Sequence, residues 1–73
     1  MPCNRITVTR DGDRFRVECF DNAGKSVRVR RSPLFSTIAL RRTWAVEQAS
    51  QLSNVLKLYW DGEIEEGNHG KES

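Results

Sequence analysis

Apolar and polar residues alternate with a period of two along the first thirty positions. Ile6 and Val8 alternate with Arg5, Thr7 and Thr9, and Phe15, Val17 and Cys19 alternate with Arg14, Arg16 and Glu18. Val27 and Val29 alternate with Ser26, Arg28 and Arg30. Turn clusters separate these runs: Asp11-Gly12-Asp13, with Gly12 suited to positive φ, and Asp21-Asn22-Ala23-Gly24. Alternation between turn signals predicts three antiparallel strands in a meander, with one face buried.

The period changes after Ser32-Pro33, which breaks the third strand. Residues 34–42 fit either a short fourth strand, through Ile38 and Leu40, or an early helix. A helix through this stretch would set Arg42 on the stripe of Ile38 and Ala45, which favours a strand or irregular link up to Arg42. From Thr43, an N-cap candidate, Ala45, Ala49, Leu52, Val55 or Leu56, and Tyr59 recur at helical spacing. The helix is expected to end near Tyr59 to Asp61, with Gly62 just beyond. The expected fold is α+β: a three- or four-stranded antiparallel sheet with one C-terminal helix packed on one face. Residues 1–61 form the domain and 62–73 a flexible acidic tail. The expected core is Ile6, Val8, Phe15, Val17, Cys19, Val27, Val29, Ala45, Ala49, Leu52 and Leu56.

Length limits what such a domain can do. A chain of 73 residues has a thin core and little room for a deep, dry pocket. The only histidine, His69, falls in the expected tail, and Asp11, Asp13 and Asp21 fall in turns. The nucleophile-elbow, P-loop and dinucleotide-binding glycine motifs do not occur. No enzymatic activity, catalytic residue, cofactor or metal is expected. Cys3, Cys19 and His69 do not make a tetrahedral zinc set. The first residues contain no secretory-type apolar run, so an intracellular setting is expected, with no membrane contact. Pairing of the first two strands could bring Cys3 near Cys19, so a disulfide is conceivable, but two reduced thiols, with Cys19 in the core, are the expected state.

Charge redirects attention to binding. Residues 1–60 carry eleven Lys/Arg against five Asp/Glu, whereas residues 61–73 carry one Lys against five acids. Alternation turns Arg5, Thr7, Thr9, Arg14, Arg16, Arg28 and Arg30 to the face opposite the helix. These seven residues are the predicted partner-binding surface, since guanidinium forks suit carboxylate or phosphate. Such a row also serves as an ordinary solvated face. Trp44 and Trp60 suit either the core margin or an interface.

The Met1-Pro2-Cys3-Asn4-Arg5 opening, the basic hairpin from Ile6 to Phe20 and the lone helix resemble the small transcription regulators of lytic Xanthomonas phages. The resemblance covers the whole chain and rests on plan and size, without a diagnostic motif. It implies a non-enzymatic viral protein in the host bacterial cytoplasm that binds the N-terminal region of the RNA polymerase β′ subunit, inhibits initiation and promotes antitermination. A monomer is expected, with nucleic acid near the polymerase as a further contact. The alternative is a small DNA-binding domain that lays an arginine-rich three-stranded sheet in the major groove.

Overall fold

The computed structural model describes residues 3–67. The fold is α+β, with one helix against a mixed sheet of four strands. The strands are β1 (Arg5–Asp11), β2 (Arg14–Phe20), β3 (Ser26–Arg31) and β4 (Ile64–Glu66), and the helix α1 is Ile38–Leu56. The spatial order is β3-β2-β1-β4. The expected meander forms β1 to β3, antiparallel throughout. Gly12 takes φ 65° in the first turn, as its place between two aspartates predicts. Asp21 closes the second turn, its Oδ1 accepting from the backbone N–H groups of Ala23 and Lys25 at 2.9 Å each.

The core forms between α1 and the central strands. Ile6, Val8, Phe15, Val17 and Cys19 are buried beneath Ala45 and Ala49. These two alanines are the buried residues of α1, and their small side chains bring its backbone close to the sheet. Trp44, Leu52, Leu58, Trp60 and Ile64 pack around this centre. The helix packs on β2 and β1, leaving β3 beyond its main cover. Every residue of β3 is consequently exposed, including the expected core residues Val27 and Val29. Leu56, also expected in the core, is exposed as well.

The helix differs from expectation at both ends. It begins at Ile38 and not at Thr43, because Thr37 caps it: the Thr37 Oγ1 accepts from the Leu40 N–H at 3.1 Å. This first turn is not pressed onto the sheet, as Ile38, Leu40 and Arg42 are all exposed. Arg42 on the apolar stripe is therefore no obstacle to helix there. Arg41 ties the turn down by donating to the Phe35 and Asp13 carbonyls at 2.9 and 2.6 Å. At the other end the stop is Lys57, with φ 59°, and not Gly62. The Leu58 N–H donates back to the Ser53 carbonyl at 3.1 Å, and Leu58 folds onto the core margin.

Two further expectations are corrected. Cys3 and Cys19 are joined as a disulfide, with Cα atoms 5.5 Å apart, and are not two reduced thiols. The Asn4 N–H donates to the Phe20 carbonyl at 2.6 Å, extending the β1–β2 pairing far enough to hold Cys3 beside Cys19. The acidic end does not start at residue 62 as a free tail. Ile64–Glu66 form β4 parallel to β1, with Ile64 opposite Val8. The Gly67 N–H donates to the Arg10 carbonyl at 2.6 Å. A Cβ on Gly67 would lie 2.7 Å from that carbonyl oxygen, so only glycine fits there. His69 and the rest of the predicted tail lie outside the described residues.

Candidate interaction surface

The seven predicted binding residues do not share one face. Side chains of directly paired residues lie on the same side of a sheet. The β2–β3 register pairs Val17 with Arg30 and Cys19 with Arg28. Arg28 and Arg30 therefore stand on the helix side of β3, and Val29 and Arg31 stand on the outward side. The cause is a β-bulge opposite Cys19/Phe20, where Val27 is the extra residue. One added residue inverts every side chain that follows it. The valine alternation does not fix the register because α1 does not cover β3, so inward-facing valines would gain little there.

The outward face keeps Arg5, Thr7, Thr9, Arg14 and Arg16, but most of these are already engaged. Arg16 donates to Asp11 Oδ2 at 2.5 Å and to Glu18 Oε1 at 3.0 Å. The Ser26 hydroxyl donates to the other Glu18 oxygen at 3.0 Å. Arg14 donates through Nε to the Ser32 carbonyl at 3.1 Å, and its Nη2 bonds the same oxygen. Arg5 lies over the Phe20 ring, 4.9 Å from its centroid. Thr7 and Thr9 are buried. In the register Thr7 sits opposite Glu18, and Thr9 lies between Arg16 and Glu65, so longer side chains flank both hydroxyls. Four arginines, Arg5, Arg14, Arg16 and Arg31, share this face with Asp11, Glu18 and Glu65. Of these four only Arg16 pairs with carboxylates, while Arg14 is held by a backbone carbonyl and Arg5 by the Phe20 ring.

A different surface opens on the helix side, between β3 and the second half of α1. Arg28, Arg30, Gln48 and Gln51 supply its polar rim, and Leu52 and Val55 its apolar floor. The furrow continues past Arg28 to Val27, Leu56 and the Cys3–Cys19 disulfide. Val55 is 75% exposed, which places it among the most uncovered apolar side chains. Arg30 donates to the Gln48 Oε1 at 3.0 Å, so a helix side chain fixes its direction. Among the described residues, neither Arg28 nor Arg30 has a carboxylate partner.

Sequence patterning missed this furrow because it placed Arg28 and Arg30 on the wrong side and Val55 and Leu56 at the helix–sheet contact. The amphipathic reading set Gln48 and Gln51 on the polar face and Leu52 and Val55 on the apolar one, although their three- and four-residue spacing places all four on one continuous strip. Only the position of β3 shows that the strip is left uncovered.

Among the described residues, no group of three or more His, Cys, Asp or Glu side chains could hold a metal. No described helix is long and apolar enough to cross a membrane. The chain matches no family model, no curated protein and no solved structure.

Proposed function

We propose that this domain acts by binding a macromolecular partner, without catalysis, through the furrow between β3 and α1. The observation that carries this reading is the pair Arg28 and Arg30 beside exposed Val55 and Leu56, with no carboxylate committed to either arginine among the described residues. Guanidinium groups beside uncovered apolar surface suit an acidic protein segment, because the low local dielectric on burial strengthens their hydrogen bonds. The chain's resemblance to small phage transcription regulators supplies the partner: the N-terminal region of the bacterial RNA polymerase β′ subunit. Binding there, as a monomer, inhibits initiation and promotes antitermination. The major-groove alternative has less support, since Arg14 and Arg16 are engaged within the protein.

The test is capture of this protein by a purified β′ N-terminal fragment, together with a promoter-dependent transcription assay. Arg28→Glu/Arg30→Glu is expected to weaken capture about thirtyfold or more, because removing one partner of a desolvated charge pair costs about 2–5 kcal/mol. Arg5→Glu, on the outward face, is expected to leave it unchanged. The reverse pattern would move the interface to the outward face. No capture of the unaltered protein would reject the polymerase as partner.

A further inference from the structure

We infer that β3 takes up an extended acidic segment of the partner as a fifth strand of the sheet. This rests on the furrow being the binding surface and adds the mode of binding and the chemistry of the ligand. The first observation is the backbone. β3 is an edge strand, all six of its residues are exposed, and none is proline. The ladder to β2 starts where the Ser32 N–H donates to the Phe15 carbonyl at 2.8 Å. Antiparallel pairing alternates from there, so the backbone groups of Arg30 and Arg28 turn toward β2 and those of Arg31 and Val29 turn away. The outward-turned N–H and C=O groups form a template for another strand.

The second observation is the charge along that template. Arg28, Arg30 and Arg31 lie on β3 within four consecutive positions. A second copy pairing edge to edge with β3 would set arginines against arginines, and like charges placed opposite each other are destabilising. The same residues favour an acidic strand. A glutamate on the helix side of the added strand meets Arg28 or Arg30, and its methylenes lie against Val55. The next residue points outward beside Val29, where an apolar side chain fits. The ligand is therefore an extended segment alternating glutamate with small apolar residues.

The probe is a capped peptide alternating glutamate with valine, with a lysine–valine peptide as control. Three proteins are compared: the unaltered chain, Val29→Pro and Arg28→Glu/Arg30→Glu. Val29→Pro removes an N–H that β2 does not use, at an edge position where proline is tolerated, and keeps both arginines. Loss of that backbone bond is expected to weaken glutamate-peptide binding about tenfold or more. Arg28→Glu/Arg30→Glu is expected to lose the glutamate peptide and gain the lysine peptide. Bound peptide is expected to slow amide exchange at Val29 and Arg31 in the unaltered chain. Unchanged affinity in Val29→Pro, or no slowing at those two amides, overturns strand addition and leaves the furrow standing as a side-chain interface. Glutamate-peptide binding that survives Arg28→Glu/Arg30→Glu overturns the furrow as well. Pairing of β3 with a second copy in sedimentation, relieved by Val29→Pro, overturns the acidic ligand.

Discussion

Ser32 is the most informative residue to change. It is fully buried, although it precedes a proline and looks like part of a loop. Its hydroxyl accepts the Phe15 N–H at 3.1 Å, and its own N–H donates to the Phe15 carbonyl at 2.8 Å. Phe15 is itself only 1% exposed. Ser32→Ala deletes the acceptor and leaves the Phe15 N–H without a partner, out of reach of water. Leaving a buried donor unsatisfied costs about 1–3 kcal/mol, more than the net value of an ordinary hydrogen bond. The remaining bond from the Ser32 N–H keeps β3 in register, so a uniform loss of stability is expected and not a new pairing. At about 4–8 °C per kcal/mol for a domain of this size, a 2 kcal/mol loss lowers Tm by roughly 8–16 °C. Thermal and denaturant unfolding followed by circular dichroism measures the loss, and amide exchange at Phe15 locates it. Ser26→Ala is the control: it removes an exposed hydroxyl bonded to Glu18 and is expected to stay within about 0.5 kcal/mol. A Ser32→Ala protein within that same margin, with the Phe15 amide still protected, would refute the assignment of the hydroxyl as its buried partner.

Other outcomes follow from the same contacts. Cys3→Ala opens a cross-link between residues 16 apart and is expected to cost about 3 kcal/mol, read as a lower denaturant midpoint that reductant no longer shifts. Because Cys3 is only half-buried, little packing is lost with it, and equal midpoints for the two proteins would show that the bond contributes nothing. Arg41→Ala removes the donor to the Phe35 and Asp13 carbonyls and is expected to cost about 1.5–3 kcal/mol. Its signature is faster proteolytic cleavage between Arg31 and Ile38, and an unchanged cleavage rate would contradict the anchoring role.

The α+β plan, an antiparallel three-stranded meander with one helix on one face, was legible where one face of an element had to be buried. Ile6, Val8, Phe15, Val17 and Cys19 follow their alternation into the core because α1 lies above β1 and β2. Ala45 and Ala49 follow helical spacing for the same reason. The turns at Gly12 and Asp21 are local conformational preferences and need no partner. Local signals were weaker guides to the helix ends. Thr37 and Thr43 both offer a capping hydroxyl, and only the path of the chain after β3 selects Thr37.

Tertiary structure alone decided where the proposed binding surface lies. Hydrophobic alternation sets a strand's register only when a covering element makes the inward face dry, and α1 packs mainly on β1 and β2, leaving every residue of β3 exposed. A single bulge at Val27 was therefore free to send Arg28 and Arg30 to the helix side, away from Arg14 and Arg16. The acidic end shows the same division. Residues 64–66 have no intrinsic reason to order, and they form a strand because β1 offers an unpaired edge beside Val8. Hydrophobic periodicity, composition and charge established a small, arginine-rich α+β domain with an acidic end. Which arginines point where, and what lies beside them, was fixed by contacts between segments far apart in the chain.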